Sequence, residues 1–446
     1  MTPFHRILAN NLVQNVTNFT VWFALVFWAF IETRSVFVTG MIGGVYLVFT
    51  ATFAIWFGSL VDHHRKKRVM LASSLASLAF YATALAAVPR DGLVRADTPG
   101  LWLFVLLVML GVICGNIRMI ALPTLVTALI AEDRRDKANG LVGMVNGIGF
   151  VVTSAISGFL VAWGGMWATL ILALALSALC AVHLISLQLD EPVPEAEVSG
   201  ARRDIDLRGT IRVVAAVPGL FALIGFAAFN NLLGGVFMAL LDGYGLSLME
   251  VEAWGLLWAV VSCGFILSGL VIARTGLGAN PLRTLLLVNL VVWTVAALFT
   301  IQSSIALLAV GCFIWLFLFP FAEAAEQTTL QKVVPFERQG RVFGFAQSVE
   351  QAASPLTAFM IGPLTQFVVI PFMITGAGAR EIGGWYGIGP ERGMALVFSV
   401  AGVLGVLMTI AAFNSRQYRQ LSASYAAGSS GESAPPPRDA SPRDVV

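Results

Sequence analysis

The chain has 446 residues, of which 58% are hydrophobic and only 12% charged, and its net charge is +2. An ordinary soluble domain carries about 25% charged residues, and a fold surrounded by water has no place to hide so much apolar side chain. Lipid as the solvent for the outer helix faces removes that difficulty, whereas so small a net charge gives no reason to expect a nucleic-acid partner.

Apolar runs long enough to cross about 30 Å of hydrocarbon recur along the chain. They predict helices over 8–30, 36–60, 69–88, 101–130, 138–163, 166–187, 212–240, 252–273, 283–302, 304–330, 341–370 and 392–413. This is an all-α integral membrane protein of about twelve transmembrane helices. The first run is interrupted by Asn10, Asn11, Gln14, Asn15 and Asn18 and has no small-residue cleavage site after it, so it reads as a retained helix. The fourth and tenth runs are long enough to project beyond the bilayer. A polar stretch from Asp190, rich in Pro, Glu and Arg, separates helices six and seven. It divides the chain into an N-terminal six-helix half (1–189), a linker (190–211) and a C-terminal six-helix half (212–415). From Arg416 the composition turns to Ser, Gly and Pro, which predicts a tail without packed structure over 416–446. The Gly-rich outer segment from Thr375 to Arg392 is too polar for a further span and reads as a cap, a gate or a passive connector.

Lys and Arg collect in cytoplasmic loops. Arg65, Lys66, Lys67 and Arg68, then Arg134, Arg135 and Lys137, then Arg202, Arg203, Arg208 and Arg212 fall on one side, with Arg274, Arg283, Lys332, Arg338, Arg341, Arg416 and Arg419. Arg34, Arg90, Arg95, Arg380 and Arg392 fall on the other. Both termini are therefore expected inside a cell membrane, a prokaryotic inner membrane by this reading. The four cysteines (Cys114, Cys180, Cys263, Cys312) lie in apolar runs and read as buried thiols. With four histidines near loops or helix ends, no metal, cofactor or enzymatic constellation is expected, and adjacent His63 and His64 cannot share one helical face.

The halves echo each other. Thr127 to Arg134, followed by Lys137 and Gly140, aligns with Gln331 to Arg338, followed by Arg341 and Gly344; the same register pairs Thr153 with Thr357 and Gly158 with Gly362. Gly58-Ser-Leu-Val-Asp62 likewise resembles Gly269-Leu-Val-Ile-Ala273. Parallel repeats imply a pseudo-two-fold axis along the membrane normal, with a substrate site between the halves.

Between helices two and three lies Gly58-Ser-Leu-Val-Asp62-His-His-Arg65-Lys66-Lys67-Arg68. A plain basic loop explains the cations but not the glycine or the acid. The stretch resembles the signature loop of the major facilitator superfamily, which implies that Gly58, Asp62, Lys66 and Lys67 latch the two halves on the cytoplasmic side. The usual second glycine is Arg65 here. In the fifth helix Gly149-Phe-Val-Val-Thr153-Ser154-Ala-Ile-Ser157-Gly158 has the spacing of the superfamily's antiporter motif. Gly149 and Gly158 match it, while Thr153, Ser154 and Ser157 replace glycine, proline and glycine; close helix packing is the other reading of this small-residue stretch. Taken with Pro123 to Gly140, Gly340 to Gly344 and Pro355 to Pro363, the order of features is similar to the third group of drug–proton antiporters, which includes macrolide exporters. The resemblance implies a major facilitator fold of two pseudo-symmetric six-helix bundles.

A charge at a helix centre costs about 2.5–3.5 kcal/mol on insertion scales and needs a reason. Arg118 lies in the fourth helix beside Asn116, Glu323 and Glu326 lie in the tenth, and Glu350 lies in the eleventh. Placed around a central cavity, Arg118 and the acids could approach one another and the acids could load and release protons; structural ion pairs or wetted acids at the cytoplasmic boundary are the other readings. Asn15 and Asn18 on the first helix, with Asn230 and Asn231 on the seventh, act either as interhelical glue or as substrate contacts. Trp22, Phe226 and Trp258 are candidates for shaping an apolar pocket. No Gly-rich nucleotide loop of the Lys-Ser/Thr type is present, so the driving force is expected to be an ion gradient. The sequence thus points to a monomeric secondary carrier for small molecules and protons, exporting amphipathic or lipophilic compounds. A metabolite symporter or uniporter, and a non-transporting sensor, are the alternatives.

Overall fold

The computed structural model describes residues 3–33, 36–87, 99–189, 191 and 206–427. All regular structure among them is helical. The first half comprises α1 (Pro3–Thr33), α2 (Val36–His63), α3 (Lys66–Ala86) and α4, in which Pro99–Asn116 continues past Ile117 as Arg118–Leu129. It closes with Arg135–Ser186, whose backbone leaves helical geometry at Gly164 and Gly165 and so divides into α5 and α6. The second half comprises α7 (Leu220–Leu248), α8 (Val251–Thr275), α9 (Pro281–Leu298) and α10 (Ile305–Val333). It continues with α11 (Gln339–Leu364), extended by a π-helical turn Thr365–Val369 and Ile370–Ile374, and ends with α12 (Pro390–Asn414). Eleven stretches of the described residues are long and apolar enough to cross a membrane. The fifth expected span, 138–163, is helical throughout but is not one of the eleven.

Local chemistry sets several boundaries. Asn280 accepts from the Arg283 amide at 3.1 Å ahead of Pro281 at the start of α9, and Ser304 accepts from the Leu307 amide at 3.3 Å to begin α10. These side chains satisfy amides that a helix start leaves without intrahelical partners. The larger apolar core runs through the first half and crosses into the second near Ile272, Ala325 and Val342, whereas a separate core around Phe237, Trp293 and Phe398 lies within the second half. The halves are therefore packed together at the end that carries Arg65–Arg68, here called the basic end.

Three expectations are corrected. The seventh helix does not begin at 212: an amphipathic connector helix, Leu207–Ala216, is followed by extended Val217 and by Gly219 at φ +86°, and α7 then runs to Leu248. Pro218 disfavours helical geometry at the residue before it, which ends the connector. Cys263 is exposed rather than buried. The tail does not lose structure at Arg416, because Arg416–Ala427 forms a helix whose first turn is capped by Ser415, 3.0 Å from the Tyr418 amide. Residues 428–446 lie outside the described residues.

The tail helix docks on the second half. Leu421 is 2% exposed, Asn280 donates to Ser422 at 2.6 Å, and Lys332 Nζ stands 4.1 Å from the centre of the Tyr425 ring. Gly219 is required at this joint, since a Cβ there would lie 2.4 Å from the Gln417 carbonyl oxygen and its positive φ is unfavourable for any side chain. Gly219→Ala is expected to undock the tail helix, so that limited proteolysis releases it while thermal unfolding of the remaining bundle shifts by only a few degrees. Unchanged protease resistance would contradict that role for the joint.

Candidate functional site

Between the halves lies a cavity of about 470 Å³. Asn15, Asn18, Asn116, Arg118, Asn230, Asn231, Glu323, Glu326 and Glu350, all singled out from sequence, lie on its wall. Aromatic rings supply much of the remaining wall: Phe150 and Phe265 are 6.3 Å apart, and Phe265 and Phe319 are 6.1 Å apart. Phe226 also lines the cavity, whereas Trp22 stacks on the cavity residue Tyr46 at 4.0 Å and Trp258 packs edge-on to Trp254 outside the lining.

The asparagines fall into two chemical groups. Asn18 donates to the Val112 carbonyl at 2.9 Å, accepts from the Tyr81 hydroxyl at 3.2 Å, and approaches Asn116, which donates to the Tyr46 hydroxyl at 3.0 Å. These contacts tie α1, α2, α3 and α4 together. Asn15 reaches Asn146 on α5 at 2.9 Å. In the second half Asn230 returns its amide to Phe226 within α7 and accepts from the Trp293 indole at 2.7 Å, while Asn231 returns its side-chain amide to Ala227 and its backbone carbonyl accepts from Ser354 of α11 at 2.8 Å. Several amides in the wall therefore already hold helices in place. The Asn11 Oδ1 and Gln327 Oε1 acceptors, both buried, have no partner among the described residues.

Arg118 does not pair with the acids. Its side chain is buried in the first half, donating to Asn10 Oδ1 at 2.9 Å, Ser74 Oγ at 2.8 Å and the Met70 carbonyl at 3.4 Å. Asn10, which interrupts the first apolar run, is thus a partner of this charge and also binds the Cys180 carbonyl at 3.0 Å. On the opposite wall Glu326 of α10 and Glu350 of α11 line the cavity, and Glu323 opens into it one helical turn from Glu326. Among the described residues, the ion pairs present engage other acids: Asp62, Glu132, Asp133 and Asp206.

The basic end closes the cavity. Asp62 on α2 accepts from the Gly340 amide at 2.6 Å and the Arg341 amide at 2.9 Å, so a carboxylate of the first half caps the first turn of α11 in the second. Arg341 Nε stands 3.7 Å from the same carboxylate, and Arg341 Nη2 is 3.1 Å from His63 Nε2. Glycines permit this approach: a Cβ on Gly58 would lie 2.4 Å from the Gly340 oxygen, and one on Gly344 would lie 2.3 Å from the Ala54 oxygen. The repeat-related contact joins α5 to α8. A Cβ on Gly269 would lie 2.4 Å from the Met144 side chain, and one on Gly140 would lie 2.5 Å from Ile272.

Lys66 and Lys67 reach the latch mainly through their backbone. Their amides donate to Glu191 at 2.9 and 3.2 Å, Lys67 Nζ binds the Leu187 carbonyl, and Lys66 Nζ lies 4.8 Å from the Phe336 ring centre. Burial pushes the Glu191 carboxyl above its ordinary value, an effect opposed by the Lys67 and Lys66 amides and by the charges of Lys66 and Arg65. Glu191 lay within the expected linker and was not legible as a site residue, because its partner amides are distant in sequence.

The small-residue stretch on α5 is only partly a packing surface. Gly149 faces α1, where a Cβ would meet Asn15 at 3.8 Å, and Thr153 donates to the Val16 carbonyl at 3.4 Å. Ser157 is buried and bonds its own helix at Thr153, whereas Gly158 has no neighbour within 4 Å of a built Cβ and so makes no close helix approach. The side chain of Ser154 lies outside the described residues. The Gly-rich outer segment folds into two single turns, Ala377–Glu381 and Gly383–Tyr386. Arg392 bolts it to the second half by donating to the Tyr386 carbonyl, to the Ile301 carbonyl at 2.8 Å and to Ser303 Oγ at 3.2 Å.

Comparison with known proteins places this arrangement. The family model described as Major Facilitator Superfamily matches residues 8–358. The enterobactin exporter EntS of Shigella boydii serotype 18 is 24% identical over 312 residues, covering 69% of this chain and 72% of the relative. The same-named exporter of Escherichia coli O139:H28 is 23% identical over the same length. Among solved structures, the human organic anion transporter MFSD10 (TETRAN) has a TM-score of 0.68 at 13% identity, covering 92% of this chain and 100% of its own. A bacterial homologue of the iron transporter ferroportin, in an outward-facing state, has a TM-score of 0.64 at 16% identity, with coverage of 92% and 99%. At these identities the structural likeness concerns the fold.

The Asp62 contact can be probed directly. Asp62→Asn keeps one acceptor oxygen but turns an NH₂ group toward a helix-start amide, which should weaken basic-end closure by about 1–3 kcal/mol. Spin labels on the basic ends of α2 and α11 should then report a larger population of separated halves. An unchanged distance distribution would remove Asp62 from the latch.

Proposed function

This chain belongs to the Major Facilitator Superfamily, and from that premise we propose that it is a proton-coupled exporter of amphipathic or lipophilic small molecules. The family makes it a membrane transporter rather than an enzyme. The relatives described above are named as exporters, which supports the outward direction. Aromatic rings with scattered amide acceptors suit a ligand that is mostly apolar and carries a few hydrogen-bonding groups. The cavity is built within one chain, so a monomer suffices. Basic residues concentrated at the closed end support a reading in which that end, and both termini, lie on the cytoplasmic side of a bacterial cell membrane.

One observation carries the coupling. Glu326 and Glu350, from two different helices, line the same cavity, with Glu323 one helical turn from Glu326. A proton held between the first two is the cheapest way to keep adjacent carboxyl groups in a place poor in water. While the cavity is enclosed the proton stays. Rocking of the halves hydrates the pair, both carboxylates gain water as a partner, and the proton leaves to that side. Substrate and proton then occupy the cavity alternately, the exchange that antiport requires. Arg118, held by neutral partners within the first half, fixes α1, α3 and α4 around the cavity.

Purified protein in vesicles with an imposed pH gradient tests the reading, using substrate-stimulated proton flux and a panel of lipophilic fluorescent dyes. Glu326→Gln and Glu350→Gln are each expected to reduce gradient-driven dye movement at least about tenfold, the scale set by removing one proton-binding partner of a coupled pair. Exchange of dye at equal pH and the thermal midpoint should be retained. Full gradient-driven transport in both variants would take the pair out of the mechanism, and absence of any stimulated proton flux in the native protein would refute proton coupling.

A further inference from the structure

Directly beneath the cavity, two amide side chains from opposite halves face each other. Asn139 of α5 is 5% exposed and Gln331 of α10 is 2% exposed. Asn139 Nδ2 donates to Gln331 Oε1 at 2.9 Å and to Thr328 Oγ1 at 2.8 Å, while Gln331 Nε2 returns a bond to Asn139 Oδ1 at 3.3 Å. Gln331 Nε2 also donates to the Pro123 carbonyl of α4 at 2.9 Å. The cluster therefore joins α4 and α5 of the first half to α10 of the second. Asn139 lines the cavity, whereas Gln331 does not. Behind Gln331, toward the basic end, its carbonyl is held by Gln339 Nε2 at 2.8 Å, and Lys332 binds Glu132 at 2.9 Å.

We propose that Asn139 and Gln331 form an amide gate at the cavity floor, the seal that separates the substrate cavity from the basic face, with the Asp62 and Lys332 contacts acting as a second, ionic layer below it. The proposal rests on the alternating-access reading above but not on the substrate or on the proton. Its physical case lies in the kind of bond. Reciprocal hydrogen bonds between neutral amides exclude water when closed, and both groups are fully solvated when apart, so the net gain of each bond is small. A gate that must break in every cycle needs that balance. Buried charges at the same place would leave an uncompensated ion in the open state. The partners also carry information on which halves meet, because the Pro123 carbonyl is reached only when α10 sits against α4. Asn139 and Gln331 are positioning residues in this scheme, and neither needs to touch the transported molecule.

The test follows accessibility from the basic face in oriented membrane vesicles. A cysteine replacing Gln347, a residue of the cavity wall, is exposed to a charged methanethiosulfonate reagent, and modification is read at that site by peptide mass mapping. Asn139→Ala and Gln331→Ala are each expected to raise the labelling rate from the basic face about tenfold, as loss of three weak bonds allows. The exchanged pair N139Q/Q331N, which restores an amide facing an amide, should return the rate to within about twofold of the parent. In N139C/Q331C, a short bifunctional methanethiosulfonate should block labelling of the cavity from the basic face, and reduction should restore it. Unchanged labelling in both alanine variants, or free labelling in the cross-linked protein, overturns the gate. Dye transport measured on the same vesicles separates the two ideas: gated labelling without proton-driven transport refutes the coupling reading and leaves the gate standing.

Discussion

The closed end of this transporter depends on a carboxylate that serves a helix it does not belong to. The first turn of α11 presents amides with no intrahelical acceptor, and Asp62 supplies both oxygens to Gly340 and Arg341 from the other half. That bond forms only because Gly58, Gly340 and Gly344 let two backbones touch, since a side chain at Gly58 would occupy the Gly340 carbonyl. Each part makes the other possible. The glycines bring the amides within reach, and the charge-assisted bonds offset the burial of an acid in a seam that excludes water. The same device recurs around the basic end. Glu191 holds the amides that start α3, Asp136 accepts from the Leu277 amide at 2.9 Å, and Asp206 caps the connector helix at Gly209 while approaching Arg338 and Arg341. Carboxylates on backbone amides at or beyond helix ends, rather than a lattice of surface ion pairs, draw the linker and both halves together.

Much of this was legible in the sequence because the membrane imposes length and polarity on each helix. Twelve apolar runs, the break near Gly164 and the shared wall of Arg118, Glu323, Glu326 and Glu350 follow from that constraint. The repeat register also had structural meaning: Gly58 aligned with Gly269, and Gly344 with Gly140, and the structure places these glycines in the two equivalent contacts between halves, α2 with α11 and α5 with α8. Partner identity was another matter. Asn139 and Gln331 look like ordinary polar residues near helix ends, and only the packing of α10 on α4 and α5 brings them together. Arg118 was expected to look across the cavity, but Asn10 and Ser74 were close enough to solvate it first. The tail helix was missed because its composition is polar, although Tyr418, Leu421 and Tyr425 fall on one helical face and Ser415 stands at the capping position.

The two halves deal with buried charge differently. In the first half, Arg118 is surrounded by a neutral amide, a hydroxyl and a backbone carbonyl, partners that can remain in place while the halves move because they all belong to the same bundle. In the second half, Glu323, Glu326 and Glu350 line the cavity and take part in none of the ion pairs among the described residues. On the proton-coupled reading, the charge of the cavity wall depends on whether those acids carry a proton. The field that a substrate meets therefore changes with loading, with no need for any side chain to travel far.

The repeat is not exact at the seam, and the departure has a consequence for how the seam opens. Where the first half places Asp62, the second places Ala273, so the α5–α8 contact has no acid on the α8 side. Its carboxylate comes instead from Asp136, at the position aligned with Gly340, and reaches one amide beyond the end of α8 rather than two at a helix start. The α5–α8 contact consequently relies more on glycine packing against Met144 and Ile272, which is apolar and indifferent to charge. The α2–α11 contact relies on charge-assisted bonds, each worth more than a neutral one while dry and readily exchanged for bonds to water when wet. Water entering from the basic face thus weakens α2–α11 before α5–α8. The two halves would part first along the seam that carries Asp62, with the α5–α8 contact acting as the hinge about which they turn.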